Sequence, residues 1–447
     1  MKRDRLKMFG GILITAFFCA LYVPMVCNNV LCGDEAVTFT KCQGDIHSII
    51  NWAASDVHPP LYYILLHFVI TTLGGGMHTA KLLSLIPLII LLLIGYCIIR
   101  REFGYKALLL WDGFFCFLPL MPRYTTEVRM YSWAMLFTAG AALSSYYIVK
   151  KGTFLTWSVF TLLSLAASYT HYYAFVTCAY LYFILLIIGL TKRKNKDYLW
   201  KFFISAIVAL GGYFPWLSHF LSQARKVGEG NFWVQNNNLW IILTHLFNNF
   251  YPYSYIFWII LLLTYMIIGI YVCIKKRDVY MVWGTGVFLA FAAVMLVVYI
   301  YSVIFSPIIT AYYLLIPLCV LIVGIATTAK ETSKWMVLIS MIFMLLSGRK
   351  SYSETVGQII NSTSSLSLIE NGATVYTPDY SIQDVLHCYR PDLTVIFDKE
   401  MNYNNYEADE YYVADYFIDL EGQNQNLTYI GDNKFKYTEF KIYHHKR

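Results

Sequence analysis

The sequence predicts a polytopic all-α membrane protein of about eleven transmembrane helices, followed by a small α/β domain. Of its 447 residues, 58% are hydrophobic and 14% are charged, whereas soluble domains carry roughly 25% charged residues. The mean hydropathy is +0.52, and apolar segments of spanning length alternate with short basic clusters. From residue 351 the composition becomes polar and rich in tyrosine. These observations divide the chain into a membrane domain, residues 1–350, and an extracytoplasmic domain, residues 351–447.

The charge pattern indicates a lipid bilayer rather than a nucleic acid as the partner. The formal net charge is +7, but Lys and Arg occur in short clusters between apolar runs. Binding a nucleic acid requires a continuous basic face, and the sequence has none. We therefore expect no nucleic-acid partner.

Residues 8–27 form the first predicted helix, which follows Lys2, Arg3 and Arg5. A secretory signal peptide begins in the same way, but its apolar core is only about 7–15 residues long. The longer run here, with no convincing small-residue cleavage site, predicts a retained signal anchor. The N-terminus is then cytoplasmic, and we expect an integral protein of the bacterial plasma membrane.

Ten further segments are predicted to cross the membrane: 79–99, 105–122, 130–149, 153–169, 172–190, 198–217, 254–274, 280–304, 309–329 and 334–347. Basic clusters lie between them, at 100–101, 150–151, 192–194, 275–277 and 330–334. If every segment crosses once, all of these clusters face the cytoplasm, as the positive-inside tendency requires.

The apolar run at 61–73 is the exception to this pattern. It has about 13 residues and ends in Gly74-Gly75-Gly76, whereas about 20 residues are needed to span a membrane. If it crossed, every later basic cluster would lie outside the cytoplasm. It is therefore predicted to be an interfacial or re-entrant helix at the outer surface. With this assignment, polar or aromatic features of five segments share the outer face: 34–35, 56–58, 127–131, 171–173 and 216–252.

The C-terminal domain is predicted to combine short strands with a helix. Alternating apolar residues predict strands at 373–376, 393–397, 411–417 and 435–443, and a helical pattern covers 382–389. A domain of this length can bury a modest core.

The first outer loop contains the residues with the clearest chemical potential. Asp34 and Glu35 lie just beyond the first helix, and Asp56 and His58 come shortly before a helix. Two prolines, Pro59-Pro60, fix φ and remove backbone donors, so they stiffen the chain next to His58. The alternative for the acidic pair is two solvated loop acids, or acids that cap the following helix.

Cysteine spacing and metal-ligand spacing are uninformative. The ten cysteines form no CxxC pair and no zinc pattern, and most are expected to be small core residues. Cys32 and Cys42 bracket the acidic pair, and a disulfide between them is one alternative. Asp34, Glu35 and the Asp56–His58 stretch contain suitable metal ligands, but no spacing is diagnostic. We predict no metal and no other cofactor.

Three motifs carry a family resemblance: Asp34-Glu35, the stretch from Asp56 to Tyr63, and Glu127-x-Arg129-x-Tyr131. In this order and separation they resemble the GT-C membrane glycosyltransferases, in the branch of the protein O-mannosyltransferases and the aminoarabinose transferase of lipid A. The resemblance covers roughly residues 1–330. It implies transfer of a sugar, with inversion, from a polyprenyl-phosphate carrier to an extracytoplasmic glycan, lipid or protein.

The resemblance assigns the role of general base to Asp34, and Glu35 would orient the acceptor or the sugar. A polyprenyl phosphate leaves as an anion, so catalysis requires cations and donors near the departing charge. Arg129 is the first candidate because its planar guanidinium suits phosphate oxygens. His58 and Lys81 come next, and Asp56 belongs to the same predicted donor-binding set.

The remaining candidates each have a structural alternative. Glu127 could hold Arg129 in an ion pair, or form an ordinary interfacial salt bridge. Tyr131 belongs to the same motif, and His171 and Tyr172 could line the sugar pocket or anchor the protein at the interface.

Tryptophans and one aspartate are weaker candidates. Trp216, Trp233 and Trp240 could stack on sugar or isoprenoid, or belong to an aromatic belt. Asp112 falls within a predicted span, where ionisable groups are usually functional. A neutral, hydrogen-bonded core aspartate is the alternative, and Asp112 is left outside the predicted site.

The sequence departs from the family pattern at two places. Residues 310–317 lack the Arg that many relatives carry before the proline of a late helix, and Lys81 stands where Arg is common. Both departures leave the sugar and the details of phosphate binding open.

Two other classes of protein explain part of the pattern. A transporter or flippase of lipid-linked sugars would have many helices, but it predicts inverted repeats and broken helices near the midplane, and the sequence shows no such repeat. A catalytically inactive GT-C relative would explain the missing arginine.

Overall fold

The computed structural model describes residues 12–13, 16–17, 19–193, 195–229, 234, 238–247, 254–276, 279–400, 410–416 and 427–446. Residues 8–11, 14, 15 and 18 of the predicted first helix, Trp233 and about a third of the 216–252 segment therefore lie outside the described residues. The described part of the first helix includes a single turn, Val23–Val26, that leads into the first outer loop.

The described chain before residue 361 is almost entirely helical. Its longer helices are α1 (Gly33–Lys41), α2 (Ile46–Ser55), α3 (Leu61–Thr72), α4 (Met77–Ile94), α5 (Tyr105–Phe117), α6 (Tyr131–Lys151), α7 (Phe154–Ser168), α8 (Tyr172–Ile188), α9 (Lys196–Gly228), α10 (Leu239–Phe247), α11 (Ser254–Lys276), α12 (Val279–Ile304), α13 (Leu315–Thr328) and α14 (Lys334–Ile360). Each of the ten further predicted crossings contains one of these helices. The predicted segment 105–122 ends early, at Phe117, because Leu118 is extended and a proline follows.

Five helices of the described chain are long and apolar enough to cross a membrane: Met77–Phe103, Tyr172–Arg193, Lys196–Gly228, Tyr255–Lys276 and Val279–Ile304. The predicted multi-pass architecture is therefore confirmed, whereas the number of eleven crossings stays a prediction. The first of these five continues from α4 through a π-helical turn, Gly95–Ile99.

Helix α3 has the properties expected of a helix that does not span the membrane. It has 12 residues, so it is about 18 Å long at 1.5 Å per residue, well short of an apolar layer of about 30 Å. Its chain direction changes at Gly74, whose φ is +61°. Glycine adopts this left-handed conformation without steric cost.

Helix α1 separates the two cysteines of the first outer loop. Cys32 is its N-cap and Cys42 its C-cap, and both are buried free thiols. Because about nine helical residues separate them, their Cα atoms lie about 15 Å apart, whereas a disulfide requires Cα atoms within about 7 Å. The alternative of a Cys32–Cys42 disulfide is therefore wrong.

In its described residues, the C-terminal domain contains a five-stranded mixed sheet and the α-helix α15 (Tyr380–Tyr389). Its strands are β1 (Thr374–Thr377), β2 (Thr394–Phe397), β3 (Glu410–Asp415), β4 (Leu427–Phe435) and β5 (Thr438–Lys446), in the spatial order β2-β1-β3-β5-β4. β1 pairs in parallel with β2 and β3, and β5 pairs antiparallel with β3 and β4.

One predicted strand begins too early, because residues 438–443 belong to β5 and residues 435–437 do not. The sequence pattern predicts a strand over 435–443, but the chain reverses there, at Lys436 and Tyr437, between β4 and β5. The turn contains no Gly, Pro or Asn, which are the usual turn residues. Lys436 instead adopts φ +53°, which a pattern of alternating residues cannot reveal.

The two domains are joined covalently and by packing. Helix α14 runs without a break through residue 350 and ends at Ile360. Helix α15 packs on α1 of the first outer loop, and a Cβ on Gly33 would lie 2.9 Å from the Ser381 hydroxyl. The C-terminal domain therefore lies directly over the start of the helix that carries Asp34.

Candidate functional site

The first turn of α1 points its two acids in different directions. Successive residues of a helix are about 100° apart, and here Asp34 is exposed whereas Glu35 is completely buried. The helix dipole favours negative charge at this end. Within the described residues, no side chain or backbone group donates a hydrogen bond to the Asp34 carboxylate.

Both carboxylate oxygens of Glu35 accept hydrogen bonds in the protein interior. Its Oε2 accepts hydrogen bonds from the backbone N–H of Cys32 at 2.9 Å and from Lys436 Nζ at 2.6 Å. Its Oε1 accepts from the backbone N–H of Val128 at 2.9 Å. Burial raises the pKa of Glu35, but the ammonium groups of Lys436 and Lys81 overcome this and lower the pKa to about 2. Glu35 is therefore a buried anion that joins three segments of the chain.

Arg129 lies in the loop between α5 and α6, and its side chain is buried. Nη1 donates to Thr38 Oγ1 at 3.0 Å, whereas Nε is buried and no described residue hydrogen-bonds with it. Among the described residues, no carboxylate lies within 4.0 Å of it. Burial lowers the pKa of Arg129, but nearby tyrosines and the carboxylates of Asp34 and Asp56 raise it well above its usual value.

Asp56 and His58 approach the same guanidinium from the end of α2. Burial raises the pKa of half-buried Asp56, and Arg129 opposes this. His58 is buried, and its Nδ1 has no hydrogen-bond partner in the part of the chain that the structure describes. Its ring centroid lies 5.3 Å from that of His171. Burial and the charge of Arg129 lower the pKa of His58 well below its usual value, so the ring is neutral.

His171 is the N-cap residue of α8 and lies beneath the first outer loop. Its Nδ1 accepts a hydrogen bond from the backbone N–H of Tyr173 at 3.1 Å. Burial, and then the charge of Arg129, lower its pKa to about 3. A neutral ring that accepts at Nδ1 carries its proton on Nε2, and Nε2 is buried without a partner. A buried donor without a partner costs about 1–3 kcal/mol.

The stretch 310–317, which lacks the expected arginine, supplies tyrosines to the site. The Tyr312 ring stacks on that of Tyr124 at 4.7 Å, and the Tyr313 ring lies 4.7 Å from that of His171. Tyr131 contacts Tyr312 at 5.3 Å and His171 at 6.0 Å. The late segment therefore lies at the predicted site, but with aromatic rings in place of a cation.

Glu127 has a different partner from the one predicted. Its Oε1 lies 3.4 Å from Arg123 Nη2, in an ion pair one helical turn apart, and accepts from Cys32 Sγ at 3.6 Å. The predicted ion pair with Arg129 is not formed, because the backbone turn at 127–130 directs the two side chains to different neighbours. Burial raises the pKa of Glu127, and Arg123 opposes this.

Lys81 has no free donor for a ligand. Its buried ammonium donates to the carbonyls of Asn28 at 3.0 Å and Val30 at 2.6 Å, and also to the Asn28 side chain. An ammonium has three donors, so this loop uses all of them. Lys81 holds the 28–30 segment in place in this structure.

Tyr172 closes one side of an apolar cavity of about 170 Å³ between α8, α9 and α12. Its hydroxyl donates to Gln223 and accepts from Trp216 Nε1 at 3.1 Å. The cavity begins at His58 and His171 and continues along hydrophobic side chains, among them Val176, Phe220, Val227, Val298 and Ile308.

Four of the five predicted outer-face segments therefore meet: 34–35, 56–58, 127–131 and 171–173. From the fifth, Trp216 contacts Tyr172, whereas Trp240 is 56% exposed and contacts Tyr255.

Asp112 lies apart from this site in α5, and neither of its oxygens has a hydrogen-bond partner in the described chain. Within the same residues, no group of three or more His, Cys, Asp or Glu side chains is arranged to hold a metal ion.

Several residues at the site are not predicted from the sequence, among them Arg123, Lys436 and Tyr437. The Arg123 guanidinium lies 3.5 Å from the centroid of the Tyr437 ring, and Lys436 binds Glu35. Arg123 precedes Glu127 by four residues, a spacing typical of helical ion pairs that could have revealed it. No sequence signal links Lys436 to Glu35 or Tyr437 to Arg123, which lie more than 300 positions earlier in the chain.

No protein-family model matches the chain, and no curated protein matches it. Among solved structures, it is similar to ArnT from Cupriavidus metallidurans in the apo state, with 9% identity, 98% of each chain covered and a TM-score of 0.60. The chain is also similar to ArnT from the same organism bound to undecaprenyl phosphate, with 10% identity, 97% of each chain covered and a TM-score of 0.59.

The archaeal oligosaccharyltransferase AglB from Archaeoglobus fulgidus, in complex with an inhibitory peptide and a dolichol-phosphate, is 11% identical. The match covers 93% of this chain and 70% of that chain, with a TM-score of 0.51. These comparisons confirm the expected GT-C fold, similar to that of ArnT over nearly the whole chain.

Proposed function

We propose that this GT-C-fold protein is a membrane glycosyltransferase that transfers a sugar from a polyprenyl-phosphate-linked donor to an extracytoplasmic acceptor, with inversion. The observation that carries the proposal is the buried guanidinium of Arg129 without an ion pair, next to the exposed carboxylate of Asp34. One group suits a phosphate and the other suits a nucleophilic hydroxyl or amine.

The donor phosphate is assigned to Arg129. A buried charge without a partner is strongly destabilising, and an anionic ligand would complete its pairing. Nδ1 of His58 and Nε2 of His171 are also buried without partners, and the Nε2–H of His171 can donate to a phosphate or sugar oxygen. Such pre-positioned donors stabilise the charge that develops on a leaving group.

The lipid part of the donor is assigned to the apolar cavity between α8, α9 and α12. Its polar end is formed by His58 and His171, and the rest of its lining is hydrophobic. This polarity matches an isoprenoid chain below a phosphate. Two of the structurally similar proteins hold such molecules, undecaprenyl phosphate and a dolichol-phosphate, which supports the same class of donor here.

The reaction is a single displacement at the anomeric carbon of the sugar. An acceptor hydroxyl or amine attacks this carbon and gives its proton to the Asp34 carboxylate. The bond from the anomeric carbon to the phosphate oxygen breaks, and its electron pair stays on the polyprenyl phosphate, opposite Arg129. A positioned base contributes roughly 10²–10⁴-fold, and the phosphate needs no strong acid because it leaves as an anion.

The other predicted residues receive supporting roles. Glu35 and Lys81 have their hydrogen-bonding groups used within the protein, so they hold the first outer loop in place. Glu127 pairs with Arg123 beneath the same loop, and Tyr131 packs between His171 and Tyr312. Asp56 stays in the donor-binding set, next to Arg129. The acceptor is a glycan, a lipid or a protein, and the location is the bacterial plasma membrane.

Release of polyprenyl phosphate tests the proposal. Purified protein in lipid nanodiscs is incubated with a panel of polyprenyl-phosphate sugars and acceptors, and free polyprenyl phosphate is measured. The wild type should release it and Asp34→Asn should not, although the variant folds. Wild-type turnover in Asp34→Asn would refute the assigned base, whereas failure of every donor with the wild type would favour an inactive relative.

A further inference from the structure

We propose that the β4–β5 turn of the C-terminal domain is part of the working site, and that Lys436 is a positioning residue which fixes Asp34 relative to Arg129. The inference rests on the proposed function, because it concerns the same reaction. Lys436 acts through Glu35 and does not itself touch the substrate.

Glu35 connects the neighbours of the two reacting groups. It is adjacent to Asp34 in sequence, and its Oε1 accepts a hydrogen bond from the backbone N–H of Val128, the neighbour of Arg129. Its Oε2 caps α1 and accepts from Lys436. Both partners of the ion pair are buried, with 0% of the Glu35 side chain and 7% of the Lys436 side chain exposed. A buried carboxylate requires all of these partners to remain an anion.

Three consecutive residues of the turn contact the membrane domain. Lys436 binds Glu35, the ring of Tyr437 lies under Arg123 at 3.5 Å, and Thr438 Oγ1 accepts from the backbone N–H of Gly33 at 2.6 Å. Gly33 and Glu35 flank Asp34 on both sides. The turn therefore holds the backbone from which Asp34 projects.

The backbone of the turn is adapted to this contact. Lys436 has φ +53°, a conformation that is uncommon outside glycine and is taken most readily by Asn, Asp or Gly. A turn serving only to reverse the chain would use one of those residues. The contact between its ammonium and Glu35 explains why a lysine occupies this position.

Removing Lys436 would change the charge balance around Glu35. Groups of several elements face this carboxylate: Lys436, Lys81, Glu127, Cys32, Tyr62 and Tyr389. Without Lys436, the nearest remaining cation is Lys81, whose donors are used by the 28–30 segment. Burial and the charge of Glu127 would then raise the pKa of Glu35, which would take up a proton as the pH falls.

Lys436→Asn is the test variant, because Asn tolerates the left-handed turn and removes the ammonium together with its hydrogen bond to Glu35. Lys434→Asn is the matched control on the same hairpin, where the Lys434 side chain is 38% exposed and pairs with Glu439. In Lys436→Asn, kcat should fall about tenfold or more while KM for the donor changes by less than about threefold. The acidic limb of its pH–rate profile should move upward by about one pH unit or more.

The double variant Glu35→Gln/Lys436→Asn distinguishes an effect through the charge of Glu35 from general damage to the fold. It carries no titrating group at position 35, so its acidic limb should return to the wild-type position. Lys434→Asn should match the wild type throughout. Wild-type kcat and pH profile in Lys436→Asn would overturn the inference, as would a loss of kcat without any movement of the acidic limb.

A measurement without substrate distinguishes this inference from the proposed function. With Lys436 present, the lowered pKa of Glu35 adds stability above about pH 4.3 that is lost as the pH falls toward 2. In Lys436→Asn the pKa of Glu35 is raised instead. Relative to that of Lys434→Asn, the thermal stability of this variant should therefore increase as the pH falls from 7 to 5. An unchanged slope would overturn the Glu35–Lys436 link even if no sugar donor were ever found.

Discussion

The guanidinium of Arg129 donates from Nη1 to the hydroxyl of Thr38 at 3.0 Å, and Thr38 lies one helical turn after Asp34. Thr38 in turn donates to the backbone carbonyl of Asp34 at 2.9 Å. Residues four apart lie on the same face of a helix, so α1 itself sets the distance between the proposed base and the proposed phosphate ligand.

Asp34→Asn is expected to lower kcat by about 10²–10⁴-fold, because an amide cannot accept the acceptor's proton. The measurement is release of polyprenyl phosphate under saturating donor. Asp45→Asn is a suitable control, since Asp45 is an exposed N-cap of α2 and Asn caps equally well. Equal activity of the two variants would contradict the assignment of the base.

Arg129→Met is expected to raise KM for the donor and to lower kcat, because the phosphate loses its cation. The combined decrease in kcat/KM should be about 10²-fold or more. Arg129→Lys should recover only part of the loss, since an ammonium cannot bind a phosphate through two parallel hydrogen bonds. Thr38→Val, which removes one hydrogen bond from the guanidinium, should cost about fivefold to tenfold. Affinity for polyprenyl phosphate as a product inhibitor gives an independent readout, and unchanged affinity in Arg129→Met would contradict the assignment.

The stability of the protein should fall as the pH drops below about 6.5, because His171 has a pKa of about 3 when folded and about 6.5 when unfolded. The unfolded state binds a proton in this range and the folded state does not, so His171 alone contributes a loss of about 1.4 kcal/mol per pH unit. His171→Asn keeps a side chain that can cap α8 and should weaken this dependence. Thermal unfolding in detergent between pH 7 and 5 measures it, and identical slopes for the two proteins would contradict the prediction.

Filling the apolar cavity should affect long-chain donors selectively. Val298→Trp places a large ring in the lining, and KM for a long-chain polyprenyl donor should rise about tenfold or more while a short-chain donor is affected less. Leu296→Trp is the matched control, because Leu296 is 59% exposed on the same helix and is not part of the lining. The same change in KM for both chain lengths would argue against the cavity as the site of the lipid.

Much of the architecture could be predicted from the sequence, because hydrophobic length and basic clusters act locally. The run at 61–73 was too short to span, and α3 is indeed a 12-residue helix. The motif residues Asp34, His58 and Arg129 can also be identified from the sequence as candidates for the site. Composition likewise indicates the C-terminal domain, although the strand predicted at 435–443 begins three residues too early, across the β4–β5 turn.

What the sequence alone determined is therefore the membrane class, the order of the elements and the chemical types available at the outer face. Tertiary structure decided which acid is exposed and which is buried, that Glu127 pairs with Arg123, and that Lys81 is used by the first loop. It also brought Lys436 to Glu35 across about 400 residues. Such pairings depend on how folded segments pack, and a charged side chain is paired by what lies within a few ångströms rather than by its neighbours along the chain.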